Sequence, residues 1–459
     1  MLTHRHRRGS RYLADMSHDD GSHPAATDAS LGTLVAREQS GSRVPSIAVA
    51  TAQAGEPHGV AVAGLADAEV GIAAAATTPY RIGSITKTFT AALVLSLADE
   101  GHLALDAHVE RYLPNTPLGE VPLRSLLAHC GGVQREAPVD MWRSMQGPDR
   151  QELREAFGRA RLIDRPGARW HYSNLGYAVL GEIVKEVTAL DCEDLIDERL
   201  IGPLGLKATS WTRPAGAAVG YRVDPYSDLV HREPDMDQAR VGVGGQLWST
   251  VGELLAWGDA LAGGAPEVVS PANVDAMHTL HVMVDTATWT SGWGLGLILE
   301  RRGGIVTSGH TGAMPGFVAA LSIDRSTRSV AVAMSNATRG AAVGRLAAER
   351  VRELVDSAPA PSPIPWVPTE QVPAELEGVL GRWWSEADET VFTWRPDGLH
   401  AQLVGGPPAG ESRFEQVVAD VFRTVAGRFK GEQLKVQRDA YGAVVELEWA
   451  TYPFTRAPR

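Results

Sequence analysis

Ser84 and Lys87 stand three residues apart in "RIGSITKTFTAAL", a serine and a lysine at the start of an apolar run. Of the 43 lysines and arginines in the chain only five are lysines. A cation kept for solubility is arginine nearly everywhere else, so a lysine here points to a group able to release its proton, which arginine effectively cannot. A serine hydroxyl is a weak nucleophile until a base takes its proton. Positions i and i+3 share a helix face, so the two side chains can meet. The positive end of the helix dipole and burial both disfavour an ammonium, which makes Lys87 a usable base. The plain alternative is a capping serine beside a surface lysine, and S-x-x-K alone does not exclude it.

Two further stretches carry chemistry. "RPGARWHYSNLGYAVLGEIVKEVT" holds Tyr172 and Asn174 just before an apolar helical run. In an extended segment residues two apart point the same way, so phenol and amide can face one cleft. A phenol near a neutral amine can pass a proton to a leaving group, and an amide can orient both lysine and substrate. The alternative is a core tyrosine beside a helix-capping asparagine. In "SGHTGAMPGF", His310 and Gly312 fall on one face of a strand and Thr311 on the other. A glycine beside a nucleophile lets a substrate backbone approach and pair like an added strand. The alternative is a glycine-rich turn with an incidental histidine.

In the order S-x-x-K, Y-x-N, H-T-G, these motifs resemble those of the serine beta-lactamase and penicillin-binding protein family. The likeness is strongest to the branch holding class C beta-lactamases, D-alanyl-D-alanine carboxypeptidases, D-aminopeptidases and related esterases. It runs from about residue 44 to 355, where "LRSLLAHCGGV", "GPLGLKATSW" and "GGQLWSTVGELLAWGDAL" are also similar to family text. The resemblance implies an α/β (α+β) sandwich of an antiparallel sheet with helices plus an all-helical subdomain. It also implies Ser84 as acylated nucleophile and Lys87 as its base or proton relay. Tyr172 becomes the alternative base and the acid for the leaving group, with Asn174 positioning Lys87 and the substrate amide. His310, Thr311 and Gly312 form the third motif beside the substrate, and the backbone N–H groups of Ser84 and Ala313 form an oxyanion hole. No metal and no organic cofactor is implied.

The implied activity is that of a serine hydrolase acting through a Ser84 acyl-enzyme on a small ester, amide or D-amino-acid-containing peptide. Alternatives are a beta-lactamase, an acyltransferase, or a penicillin- or peptide-binding sensor that acylates without turnover. One departure bears on the choice. Beta-lactamases and carboxypeptidases usually carry lysine in the third motif, where its charge attracts a substrate carboxylate. Here it is His310, whose ordinary pKa of ~6.5 leaves much of it neutral at cellular pH, which weakens the case for penicillin-like anions and favours esters, amides or D-amino-acid peptides. Arg339 and Arg345 are candidates for the missing carboxylate contact, against the alternative of solvated arginines.

Elements positioning these groups are legible in outline. "SIAVATAQ" and "GVAVAGLAD" read as a hairpin. "SITKTFTAALVLSLADEGHL" reads as a helix with Ile85, Phe89, Ala92, Leu93, Ser96 and Leu97 on one stripe and Gly101 as its stop. Residues 114–220 read as mostly helical. "GIVTSGHTGAMPG", "FVAALSIDRSTRSVAVAMSNA" and "AAVGRLAAERVRELVDSA" read as strand, hairpin and amphipathic helix. The expected organisation is a disordered tail over 1–30, a hydrolase domain over 31–357, a proline-rich linker over 358–373 and a small β-barrel-like domain over 374–459. In that last domain Trp383, Trp384, Trp394 and Trp449 are either core or pocket lining.

Bulk properties set limits. A formal net charge of −12 argues against a nucleic-acid partner. Two cysteines, Cys130 and Cys192, cannot build a disulfide framework and lie in no metal spacing. No apolar run reaches the ~18 residues of a membrane span. The basic N-terminus has no apolar region behind it to read as a signal peptide, so a cytoplasmic location is expected. The partner implied is a small molecule or short peptide, and the oligomeric state is left open.

Overall fold

"SIAVATAQ" runs through four consecutive apolar residues, Ile47 to Ala50, rather than alternating, a pattern that requires cover on both faces of a strand. The computed structural model describes residues 25–358 and 371–458, and it supplies that cover. The chain opens with helix α1 (Ala25–Ser42), strands β1 (Ser46–Gln53), β2 (Glu56–Asp67) and β3 (Ile72–Ala73), and helix α2 (Thr86–Asp99). A largely helical block follows, including α3 (Asn174–Thr188) and α4 (Val251–Asp259). The chain then returns as β4 (Val282–Met283), β5 (Ser291–Trp293), β6 (Ile298–Arg302), β7 (Ile305–Met314), β8 (Phe317–Asp324) and β9 (Ser329–Ser335), and closes with α5 (Val343–Ser357). The sheet is antiparallel throughout, in the order β3-β2-β1-β9-β8-β7-β6-β5-β4.

The two faces of this sheet separate by the period of two. Ile47, Val49, Ala331 and Ala333 pack outward with Leu31 and Val35 of α1 and Leu346 and Val351 of α5. Ala48, Ala50, Val330 and Val332 pack inward, into the large core that also holds α2, α3 and α4. Helix α1 starts at Ala25, inside the segment expected as tail, while residues 1–24 lie outside the described residues. The tail and most of the proline-rich linker, over 359–370, cannot be compared with the structure for the same reason.

Helix α2 differs from its sequence reading in one respect. A single apolar stripe was expected, yet every residue from Thr86 to Leu95 is buried. Its polar threonines are buried because each finds a partner: Thr86 Oγ1 donates to Gly83 O at 2.7 Å, Thr88 Oγ1 to Ile85 O at 2.8 Å and Thr90 Oγ1 to Val243 O at 2.7 Å. The helix stops where expected, with Gly101 at φ +79°.

The second unit is an up-and-down barrel of eight strands: β10 (Gly381–Ser385), β11 (Asp388–Arg395), β12 (Gly398–Leu403), β13 (Ser412–Val418), β14 (Val421–Ala426), β15 (Gln433–Arg438), β16 (Val444–Trp449) and β17 (Tyr452–Phe454). Each pairs with the next, and a bridge between Trp384 and Thr455 joins the ends. Trp383 and Trp449 are core, their indole N–H groups donating to Val379 O at 2.7 Å and Thr424 Oγ1 at 2.9 Å. Trp384 and Trp394 are half-buried. Among the described residues no helix is long and apolar enough to cross a membrane.

Candidate active site

Helix α2 is entered through a 3-10 turn, Gly83–Ile85, that carries Ser84. Gly83 takes φ +52°, and a Cβ on it would stand 2.6 Å from the backbone nitrogen of Ala313 in β7. A Cβ on Gly312 would lie 1.8 Å from the Ile82 carbonyl oxygen and 3.1 Å from Ser84 N. Two glycines thus let turn and strand approach until the backbones of Ser84 and Ala313 are neighbours. Gly312 was expected to admit a substrate backbone; the backbone it admits is the turn bearing Ser84. Strand β6 pairs with β7 only as far as Gly309, whereas β8 pairs with it to Met314. Residues 310–314 therefore carry no strand on one edge among the described residues.

Lys87 meets Ser84 as the helical spacing requires, with Nζ 3.1 Å from Ser84 Oγ. Nζ also donates to Asn174 Oδ1 at 2.7 Å and to Gly244 O at 2.6 Å. The side chain is fully buried. Burial pulls its pKa down to about 7; the Glu136 carboxylate opposes that fall and the Arg135 guanidinium adds to it. Gly244 ends the 3-10 segment Ala239–Gly244, and a Cβ there would lie 3.3 Å from Nζ. The buried Arg81 ties together the chain on either side of this segment, donating to Met236 O before it and, at 2.6 Å, to Gln246 Oε1 after it.

Tyr172 and Asn174 reach the same point from the start of α3. The cap is Ser173, whose Oγ accepts from Gly176 N–H at 2.9 Å. Asn174 is the first helical residue, so its amide is free for Lys87, and its Nδ2 donates to Glu136 Oε1 at 2.7 Å. That bond fixes which end of the amide faces the lysine. Lys87 Nζ stands 5.1 Å from the centre of the Tyr172 ring. Burial pushes the Tyr172 hydroxyl above its ordinary pKa, outweighing the opposing pull of Ser84 and Arg135.

His310 is buried on the Tyr172 side of β7, its ring 6.3 Å from that of Tyr172. Its Nδ1 lies 2.6 Å from Thr311 O, so Nδ1 carries the proton and donates, leaving Nε2 as an acceptor. Burial, with the nearby Lys87, pulls its pKa down to about 3, so the ring is neutral throughout the working range. The Thr311 side chain does not join this cluster. It is exposed on the other face, with Cγ2 3.6 Å from where a Cβ on Gly344 would stand. Arg345 is engaged by Glu38 at 3.1 Å and Glu349 at 3.0 Å, and Arg339 is exposed without an ion pair among the described residues. No contact brings either to Ser84.

Several members of the cluster were not singled out from sequence: His129, Glu136, Trp170, Gly244 and Trp293. His129 lies in "LRSLLAHCGGV", noted only for its resemblance, and Glu136 follows three residues after that stretch. Five buried polar atoms here have no hydrogen-bond partner among the described residues: His129 Nε2, Glu136 Oε2, Trp170 Nε1, Trp293 Nε1 and His310 Nε2. The rings among them are in mutual contact, with Trp293 5.4 Å from His310, 4.8 Å from His129 and 5.6 Å from Trp170. Unpartnered buried polar atoms gathered in one place are what a polar ligand would satisfy. Among the described residues no group of three or more His, Cys, Asp or Glu side chains is disposed to hold a metal ion.

Comparison with known proteins identifies the family and the fold. The family model Beta-lactamase matches residues 32–356, and a Domain of unknown function (DUF7586) matches residues 372–456. Penicillin-binding protein 4 of Amycolatopsis lactamdurans is 29% identical over 324 residues, 64% of this chain and 81% of the relative. The octameric penicillin-binding protein homologue from Pyrococcus abyssi superposes with a TM-score of 0.64 at 21% identity, over 93% of this chain and 99% of that one. D-amino acid amidase from Ochrobactrum anthropi SV3 superposes with a TM-score of 0.61 at 23% identity, over 72% of this chain and 98% of that one. The family model spans the whole of the nine-stranded sheet, helices α2, α3 and α4 and most of α1 and α5, and the chain belongs to the serine beta-lactamase and penicillin-binding protein family.

Proposed function

We propose that this protein is a serine hydrolase that forms an acyl-enzyme on Ser84 from a small ester or amide without a carboxylate, D-amino-acid derivatives included. The observation that carries the reading is the placement of Lys87, fully buried and 3.1 Å from Ser84 Oγ, where burial pulls its pKa down to about 7. A neutral amine has two N–H bonds and one lone pair. With the N–H bonds given to Asn174 Oδ1 and Gly244 O, the lone pair is left for the Ser84 hydroxyl proton.

Oγ then attacks the carbonyl carbon as Lys87 takes its proton, and the carbonyl π pair moves onto oxygen. The backbone N–H groups of Ser84 and Ala313 receive that oxyanion; such donors each contribute roughly 10²–10³ in rate. As the intermediate collapses, the bond to the leaving group breaks and Tyr172 protonates it, its raised pKa keeping the phenol protonated until then. The proton on Lys87 restores the phenol. Water repeats the sequence on the acyl-enzyme, releasing the acid and returning the proton to Ser84. Lys87 rather than Tyr172 is the first base, because burial moves the two pKa values in opposite directions. The open edge of residues 310–314 suits a substrate backbone laid along β7.

Substrate charge follows from His310. A neutral ring whose only free nitrogen is an acceptor offers no cation to a carboxylate, which disfavours penicillin-like anions. Likeness to a D-amino acid amidase fold supports amides among the substrates. The test is turnover of p-nitrophenyl acetate, D-alanine p-nitroanilide and a cephalosporin by the parent and by Ser84→Ala. The ester and the anilide should be cleaved in preference to the cephalosporin, and only by the parent. Full activity in Ser84→Ala would overturn the reading.

A further inference from the structure

His129 makes three separate contacts with one segment, residues 171–173. It follows the short helix Leu123–Leu127 and takes φ +55°, a left-handed conformation rare for a residue with a side chain. This turn directs its carbonyl to the His171 N–H at 2.7 Å, and its ring Nδ1 accepts from the Ser173 N–H at 3.1 Å. Those two amides flank Tyr172. Between them the imidazole packs against the phenol itself, ring centres 4.2 Å apart and planes inclined by 33°. Tyr172 is thereby held on both sides along the chain and across its ring face.

The imidazole is itself confined. Trp293 meets it edge-on at 4.8 Å, and Tyr177 packs against it at 5.2 Å while donating its hydroxyl to Leu127 O at 3.1 Å. Because Nδ1 accepts, the ring proton is on Nε2 and the ring is neutral; an imidazolium would turn Nδ1 into a donor facing the Ser173 N–H. Burial and the neighbouring Lys87, His310, Arg135 and His171 all disfavour that charge. Neither phenylalanine, which cannot accept, nor alanine, which cannot stack, reproduces the set. A positive φ in a non-glycine residue persists only where its surroundings over-determine it, and such residues cluster at functional sites.

We propose that His129 is a positioning residue whose role is to hold the Tyr172 phenol where it can deliver its proton to the leaving group. This rests on reading Ser84 and Tyr172 as the reacting groups. It makes no contact with the Ser84 Oγ on its own account; it acts through Tyr172. A displacement of about 1 Å in such a group can lower a rate by about 10²-fold, which sets the scale of the effect.

The test uses the full chain, D-alanine p-nitroanilide as probe, because its anilide nitrogen leaves only when protonated, and thermal unfolding in parallel. His129→Ala is expected to lower kcat by about 10- to 100-fold with KM within about twofold. His129→Asn keeps a carbonyl oxygen for the Ser173 N–H and tolerates positive φ, so it should recover part of that loss. In a Tyr172→Phe background the same alanine substitution should change kcat by less than about threefold, because no hydroxyl remains to be positioned. An equal factor in both backgrounds, or an asparagine variant no better than alanine at equal Tm, overturns the proposal. If His129→Ala does not fold, His129→Asn in the two backgrounds decides alone, a smaller loss beside Tyr172→Phe supporting the role and an equal loss refuting it. Full activity in Ser84→Ala would instead bring down the hydrolase reading and this one with it.

Discussion

Replacing Glu136 by glutamine leaves an acceptor for Asn174 and removes one negative charge from beside Lys87. The carboxylate and the amine are linked through the Asn174 amide by two hydrogen bonds of 2.7 Å. That places the charges roughly 7 Å apart, where at an effective dielectric of ~20 they interact by roughly 2 kcal/mol, between one and two pK units. Glu136 raises the Lys87 pKa and Arg135 lowers it, so the substitution leaves the lowering influence unopposed. The pKa should fall from about 7 to between ~5 and ~6. Profiles of kcat/KM against pH report ionisation in the free enzyme. For the parent, kcat/KM should rise through pH about 7, as the ammonium gives way to the amine. For Glu136→Gln the rise should come one to two units lower, to a plateau reduced several-fold because a weaker base accepts a proton less readily. The two profiles should cross at roughly pH 6. A rise that stays at the parental pH, or moves upward, in a variant with unchanged Tm would refute the assignment of Lys87 as the base tuned by Glu136.

Three further outcomes are expected. Tyr172→Phe should lower kcat/KM by about 10²–10⁴ while leaving the acidic rise of the profile where it is, since the phenol is not the titrating base; a shifted rise would contradict this. Gly312→Ala places a Cβ 1.8 Å from Ile82 O, so the Ser84 turn must move. A loss of about 10² or more in kcat/KM is expected, and parental activity would show that turn and strand do not lie so close. His310→Lys introduces a second buried cation beside Lys87. It should move the acidic rise lower still and increase penicillin acylation relative to ester hydrolysis by about tenfold; an unchanged ratio would remove His310 from substrate selection.

What could be read from sequence was what neighbouring residues decide. Ser84 and Lys87 are one helical turn apart, so their meeting follows from helix geometry. Tyr172 and Asn174 were expected on one cleft as alternate residues of an extended segment. They do meet Lys87 together, but because the helix begins between them, capped by Ser173. His129 and Glu136 escaped because their roles come from bonds spanning some forty residues, such as Ser173 N to His129 Nδ1 and Asn174 N to Arg135 O. A left-handed histidine has no sequence signature. The burial of α2 on all sides was also illegible, since Thr86, Thr88 and Thr90 look like a solvent face until their partners in the fold are known. Barrel strands were legible as alternation, whereas closure through Trp384 and Thr455 depends on the ends of a whole domain meeting.

In the proposed mechanism Ser84 is acylated and then released. Intact mass spectrometry after millisecond-to-minute exposure to p-nitrophenyl acetate tests it most directly, on the parent and on Ser84→Ala. One acetyl group per parent chain is expected, mapped to the peptide containing Ser84, formed with a burst of nitrophenol, decaying on further incubation and absent from Ser84→Ala. Undiminished nitrophenol release by Ser84→Ala, or parental turnover with no adduct passing through Ser84, would contradict it.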